Sequence, residues 1–461
     1  MTVSVVIPQE IAKELQLIAS NPLETAGVMF AGIAEAPNGD VRLLVRGMRW
    51  VGETAYTRRE SHGMTIQSEG YVHALAEAET LGAACIWVHT HPGQGASPRP
   101  SKHDQVVDGE IAELFRLRSG SPYYGTLIFS QDMSGLAFTG VLQHEGRDAE
   151  QIERLWQVGA RWRLIRAHDS PLPQLSPIFD RNVRAFGAAV QQTLGDLAIG
   201  IVGNGGTGSV VAEQLVRLGV RHLTLVDPDE LSESNLTRVY GSTVTDIGKP
   251  KVQILKCHLL RIAPDLKCET VRSMITLESA ARSLIGCDMV FGCTDDNAGR
   301  LVLSRLATYL LTPVIDCGVL LSSSAGGELS GIDGRITTLS PGEACLICRG
   351  RINLARASAE LLTPEERRRR EDEGYAPALA KTEPAVVAFT TLVGATAVSE
   401  LLERLIGYGP VLRPSEILLR CHEREISTNV AQPRLGHYCH PSNGKMGIGM
   451  TQPFLEQIWP T

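Results

Sequence analysis

From residue 197 the chain reads LAIGIVGNGGTGSVVAEQLVRLG and then VRHLTLVDPDE: a short apolar run, a glycine-rich turn, an amphipathic stretch and a second apolar run ending in an acid. Such a segment folds as strand, turn, helix and parallel strand, because parallel neighbours need a long crossover and that crossover is right-handed. The second half is therefore predicted to be α/β, with a Rossmann-like, doubly wound sheet. Gly203, Gly205, Gly206 and Gly208 stand where the backbone must approach a ligand, and the helix opening there offers free amides to a phosphate. Asp227, at the end of the second strand, is placed to hold a ribose. Alone, this pattern fits any dinucleotide enzyme.

At 461 residues the chain exceeds one ordinary core, since single cores stop growing near ~250 to 300 residues. Residues 1–147 mix alternating apolar segments (VRLLVRGM, YYGTLIFS, GLAFTGVLQ) with amphipathic ones (EGYVHALAEAET, DGEIAELFRL), which predicts a compact mixed sheet with flanking helices. Residues 148–178 form a linker with a helical start, closed by the proline-rich SPLPQLSP, and 179–461 form the α/β domain. The charge run TPEERRRREDEGY reads as a solvated crossover loop.

A net charge of -7 and a pI near 6.0 exclude a general binder of nucleic acid or anionic membrane, which needs a basic surface. The start lacks a secretory pattern and no apolar run is long enough to span a bilayer. The ten cysteines are scattered in apolar or helical contexts, which suits a reduced, cytoplasmic protein.

In the first half, His89-Thr-His91-Pro92 is followed by Ser101 and Asp104. Histidines at i and i+2 of a strand point the same way, and with one carboxylate they leave a fourth zinc position for water. Glu24, leading into an apolar strand in NPLETAGVMFAG, could take the proton from such a water, and Ser101 could hydrogen-bond an oxyanion. Glu24, His89-Thr-His91-Pro92 and Pro100-Ser101-Lys-His-Asp104 resemble the JAB/JAMM metallopeptidase pattern of a distant glutamate, HxHP and PSxxD. The resemblance implies a cytidine deaminase-like fold and a zinc isopeptidase cleaving after the C-terminal glycine of a ubiquitin-like modifier. Catalytic zinc would be held by His89, His91 and Asp104.

Beyond the glycine turn come Ser234-Asn235-Leu236-Thr237-Arg238, Gly248-Lys249-Pro250-Lys251 and Thr294-Asp295-Asp296-Asn297 with Arg300. Cations beside a nucleotide and an acid at a strand end suit a triphosphate with magnesium. The set resembles the ubiquitin-activating superfamily, including the ThiF and MoeB adenylyltransferases. By that resemblance Asn235, Arg238 and Lys251 grip the phosphates of ATP and Asp227 the ribose. Asp296 holds Mg2+, with Asp295 ranked second. Arg181-Asn182-Val-Arg184 resembles the RxxR entry segment, so Arg184 would reach the partner subunit's ATP and the chain would be a homodimer. The expected partners are a ubiquitin-like modifier and a conjugating-enzyme-like acceptor. Processing and activation of a sulfur-carrier protein is the alternative.

Cys345-Leu-Ile-Cys348 matches half of the superfamily's structural zinc site, and Cys439 with His437 or His440 could supply the rest. A redox CxxC and a packed thiol pair are the other readings. No cysteine lies between Cys348 and Cys421, so the crossover loop supplies no thioester nucleophile.

Overall fold

The computed structural model describes residues 2–95, 97–132, 135–167, 175–323, 329–372 and 385–460. The chain divides into two compact units: Met1–Leu172 with Tyr309–Leu311 and Met446–Thr451, and Pro173–Thr308 with Thr312–Lys445 and Gln452–Thr461. No helix among the described residues is long and apolar enough to cross a membrane.

The first unit runs β1 (Val3–Pro8), α1 (Gln9–Ala19), β2 (Ala26–Glu35), β3 (Val41–Trp50), β4 (Tyr56–Glu60), β5 (Gly63–Ile66), α2 (Glu69–Leu81), β6 (Ala84–Thr90), α3 (Lys102–Ser119), β7 (Tyr123–Asp132), β8 (Gly135–His144), β9 (Glu150–Val158) and β10 (Arg163–Arg166). The sheet order is β1-β3-β2-β6-β7-β8-β9-β10, and β9 also pairs β1, which closes the sheet on itself. β4 and β5 form a separate hairpin. Period-two alternation splits the residues of β6 between two cores. Ile86 and Val88 join Met29, Leu127 and Phe129, while Cys85 and Trp87 join Phe30, Ala112 and Phe115.

The expected helical start after residue 147 is instead β9, so the sheet extends past the anticipated boundary to β10. Ile152, Leu155 and Trp156 have helical spacing, yet all three are buried in a strand paired along both edges. Tertiary pairing decided between two patterns that the spacing allows. SPLPQLSP lies largely outside the described residues.

The second unit opens with α4 (Asp180–Phe186) and α5 (Ala188–Asp196). It then alternates β11 (Ala198–Val202), α6 (Gly206–Leu218), β12 (His222–Val226), α7 (Lys251–Ile262), β13 (Lys267–Val271), α8 (Glu278–Arg282), β14 (Met289–Gly292), α9 (Asn297–Tyr309) and β15 (Val314–Ser323). After β16 (Leu329–Leu339) come α10 (Leu354–Glu360), α11 (Pro364–Asp372), α12 (Val387–Ile406), β17 (Glu416–Arg420) and β18 (Glu425–Asn429). The order β13-β12-β11-β14-β15-β16-β17-β18 is parallel through β15 and antiparallel beyond it. This bears out the α/β expectation and adds an antiparallel half. The expected charged loop begins as the helix α11, and residues 373–384 beyond it lie outside the described residues.

Candidate metal and nucleotide sites

In the first unit the site grows out of strand alternation. His89 continues the face of β6 that carries Cys85 and Trp87, and His91 follows one step beyond the strand. α3 lies against this face, and its first turn is set by a capping box. The Ser101 hydroxyl accepts from the Asp104 amide at 3.1 Å, and Asp104 Oδ2 accepts from the Ser101 amide at 2.6 Å. That box aims the Asp104 carboxylate at the histidines. Its oxygens lie 3.4 Å from His89 Nε2 and 3.4 Å from His91 Nε2, and the two Nε2 atoms are 3.2 Å apart.

Glu24 precedes β2, and register carries it to the same place. Ala26 pairs His89, the Thr25 amide donates to Thr90 Oγ1 at 3.0 Å, and the Thr90 amide donates to the Thr25 carbonyl at 3.0 Å. Glu24 Oε1 ends 3.9 Å from His91 Nε2. Burial raises the Glu24 carboxyl above its ordinary value against the opposing pull of His91. Burial also works to raise Asp104, but hydrogen bonds to His89 and His91 outweigh it and hold that carboxylate far below the usual range.

Three ligand atoms of His89, His91 and Asp104 converge within 4.8 Å of one another. Two buried imidazoles and a partly buried carboxylate meeting at one point fit a cation. Ser101 is exposed, and its hydroxyl oxygen is engaged by the Asp104 amide.

In the second unit the glycine turn, Asp227, Asn235, Arg238, Lys251, Asp295, Asp296 and Arg300 line one cavity of about 940 Å3. Two glycines are required there. Gly203 has φ +87, and a Cβ on it would meet the Cys293 carbonyl at 2.6 Å. A Cβ on Gly208 would lie 1.8 Å from the Gly203 carbonyl oxygen. Asp227 is buried, and its carboxylate accepts from the amides of Asn204 at 2.5 Å and Asp229 at 2.9 Å, so it fixes the glycine turn as well as facing the cavity. Lys251 Nζ stands 2.7 Å from Asp229, whose side chain is 61% exposed. Asn235 is buried and caps a single turn through Ser232, while Arg238 donates to the Ser234 carbonyl at 2.9 Å. Arg184, on α4, is 78% exposed and pairs with Asp180 at 3.0 Å.

The acid ranked first for Mg2+ has another task. Asp296 accepts from Thr294 Oγ1 and from the Gly299 amide, and so caps α9. Asp295 is exposed on the same loop and lines the cavity. Asp316 also bears on the cavity, and no motif marks it in the sequence. Fully buried, it pairs with Arg300 at 3.3 Å and Arg335 at 2.7 Å, and both arginines line the cavity wall. No local spacing marks Arg335, which reaches Asp316 only through the pairing of β15 and β16.

Cys345, Cys348, His437 and Cys439 form a second group with ligand atoms within 4.8 Å of one another. His437 Nδ1 is 3.2 Å from Cys439 and 3.6 Å from Cys345, and Cys348 is 3.6 Å from Cys439. A hydrogen bond with Cys439 lowers the Cys345 thiol to about 5, against burial, and Cys439 is pushed up in turn. His440 is not in the group: its Nδ1 lies 2.7 Å from Ser442 Oγ. The three cysteines are free thiols, and a Cys3His donor set fits structural zinc.

The ThiF family matches residues 179–436, more than half of the chain. The chain belongs to the ThiF family. It is 33% identical over 139 residues to the sulfur carrier protein ThiS adenylyltransferase of Escherichia coli, covering 30% of this chain and 54% of that one. It is 31% identical over 172 residues to the molybdopterin-synthase adenylyltransferase of Escherichia coli, covering 37% and 65%. Against the tRNA threonylcarbamoyladenosine dehydratase of Bacillus subtilis it is 31% identical over 128 residues, covering 28% and 50%. The chain thus spans between half and two thirds of the length of these ThiF-type relatives.

Proposed function

We propose that the chain is a two-site enzyme for a ubiquitin-like modifier. The second unit adenylates the modifier's C-terminal carboxylate, and the first is a zinc peptidase that cleaves after its C-terminal glycine. The observation that carries the adenylation reading is the gathering of the glycine turn, Asn235, Arg238, Lys251 and Asp295 around one cavity. A carboxylate oxygen of the modifier attacks the α-phosphorus of ATP, forming the acyl-adenylate as the bond to pyrophosphate breaks. The attacking group is already ionised near neutral pH, so no base is required. The chain contributes positioning and charge neutralisation. Turn amides, Arg238 and Lys251 face the phosphates, with Lys251 shifting from Asp229 to the nucleotide. Asp295 is the residue placed to hold Mg2+, which shields phosphate charge.

For the peptidase, zinc held by His89, His91 and Asp104 would supply an activated water. Glu24 receives a proton at its carboxylate and passes it to the leaving amine. The Ser101 hydroxyl donates to the oxyanion. The group of Cys345, Cys348, His437 and Cys439 would hold a second, structural zinc.

Arg184 would reach the ATP of a second copy in a homodimer. The thiol of a conjugating-enzyme-like protein would accept the acyl group. A sulfur-carrier protein as the substrate is the second reading, favoured by the similarity to the ThiS adenylyltransferase.

Exchange of radioactive pyrophosphate into ATP, run with candidate modifiers, tests adenylation. Exchange should require a modifier tail and vanish in Lys251→Ala. Exchange indifferent to Lys251 would overturn the assignment. For the peptidase, a fluorogenic peptide ending in a Gly-Gly aminomethylcoumarin amide should be cleaved by the wild type. Glu24→Ala should keep its zinc and lose cleavage, and His91→Ala should lose both.

A further inference from the structure

The three residues that carry Glu24 into β2 are held from outside the sheet by β4. The Glu24 amide donates to the Glu60 carbonyl at 2.9 Å. The Glu24 carbonyl accepts from Arg59 Nε at 2.9 Å, and Thr25 Oγ1 accepts from the same guanidinium at 2.5 Å. The Ala26 amide donates to the Tyr56 hydroxyl at 2.9 Å. Arg59 also stacks over the Tyr56 ring, 4.7 Å from its centroid, and its remaining nitrogen pairs with Glu53. The Arg59 side chain is 11% exposed, so its bonds to Glu24 and Thr25 are largely shielded from bulk water, while Glu53 is exposed.

The hairpin itself is anchored. Tyr56, Met64 and Ile66 pack against the core of Trp87 and Phe115 that also underlies the histidines. Across the segment, Thr25 bonds Thr90 in both directions. Glu24 is therefore gripped between the strand that carries His89 and the hairpin that carries Arg59.

We propose that Arg59 is the positioning residue for Glu24: its guanidinium, fixed on Tyr56, clamps the Glu24 backbone so that the carboxylate faces the metal-ligand group. The proposal rests on the peptidase reading of that group. The partners of the Arg59 guanidinium are the Glu24 carbonyl, Thr25, Glu53 and the Tyr56 ring, so it acts through the segment it holds. Planar, multidentate donation explains an arginine here, because a lysine could bond the Glu24 carbonyl or Thr25 but not both in fixed geometry. Displacing a proton acceptor by about 1 Å is enough to cost up to about 100-fold in rate.

The test uses the full chain loaded with zinc. Amide hydrogen exchange over 24–26, read by mass spectrometry, should speed up at least about tenfold in Arg59→Ala while zinc content and the melting temperature hold. On the Gly-Gly aminomethylcoumarin peptide kcat should fall about 10- to 100-fold with KM within about twofold, and Arg59→Lys should recover part of the loss. If Arg59→Ala does not fold, Tyr56→Phe, which removes only the acceptor of the Ala26 amide, should show the same pattern more weakly. Unchanged exchange over 24–26, or an unchanged kcat, would overturn the proposal. Wild-type cleavage that ignores Glu24→Ala would overturn the peptidase reading instead, and the exchange measurement would still decide whether Arg59 holds the segment.

Discussion

Asp295 and Asp296 are neighbours of one chemical type, and only their hydrogen bonds separate them. Asp296 has both oxygens engaged, one by the Gly299 amide in the first turn of α9 and one by the Thr294 hydroxyl just before the helix. Both line the cavity, and Asp295 is the exposed one of the two. Asp295→Asn should therefore abolish ATP-pyrophosphate exchange at any Mg2+ concentration with an unchanged melting temperature. Asp296→Asn should lower stability by about 1 kcal/mol, the usual worth of a helix cap, and leave residual exchange. Denaturant melts alongside exchange assays read both, and the reverse outcome would restore Asp296 to the metal. At this scale the sequence was informative wherever spacing encodes geometry. His89 sits near the end of β6 with His91 one step beyond it, and Ser101 and Asp104 sit one capping box apart. It was silent where a role depends on pairing across strands. Asp316 and Arg335 meet through strand register, and Arg59 reaches Glu24 through the backbone.

Among the elements, the βαβ run and the helices α2 and α3 followed from periodicity, whereas β9 and α11 did not. β9 carries a spacing compatible with a helix, and its two paired edges made the decision. α11 is almost wholly charged, but Thr363 and Glu366 form a capping box at its start. Its i, i+4 pairs Glu365 with Arg369 and Glu366 with Arg370 support the helix without burial. The Cys345-Cys348 turn was legible as half of a group that could hold a metal, while the choice of histidine was not, because His437 and His440 flank Cys439 at similar reach. The structure puts His437 Nδ1 3.2 Å from Cys439 and gives His440 to Ser442. Elemental analysis should find two zinc ions per chain, one in His437→Ala and two still in His440→Ala. Cys348→Ser should lose the same ion and lower the melting temperature, since structural zinc contributes to folding directly. A His440→Ala protein with one zinc would reverse the histidine assignment.

Across the whole molecule the ten cysteines sort by surroundings, and that sorting bears on the fate of the acyl-adenylate proposed above. Cys85, Cys268, Cys287 and Cys317 are buried, and burial pushes the thiols of Cys85 and Cys268 up to about 12 and about 11. Three more, Cys345, Cys348 and Cys439, gather with His437 in the group that could hold a metal. Cys293 is partly buried in the nucleotide cavity wall, Cys421 is partly buried just after β17, and Cys257 is exposed on α7. A carrier thiol must meet an acyl-adenylate and then present the acyl group to an acceptor, which requires a nucleophilic thiolate on a segment able to approach the nucleotide. The stretch between Cys348 and Cys421 contains no cysteine to do this. The acyl-adenylate should therefore pass directly to an external nucleophile, and no thioester should accumulate on this chain. Denaturing gels of a reaction holding ATP and the modifier that supports exchange decide the point. No thiol-sensitive adduct should appear on the wild type, and its pattern should match that of Cys421→Ser and Cys257→Ser. An adduct that mass spectrometry maps to Cys293, a thiol of intermediate exposure already in the cavity wall, would instead make the nucleotide site its own acyl acceptor.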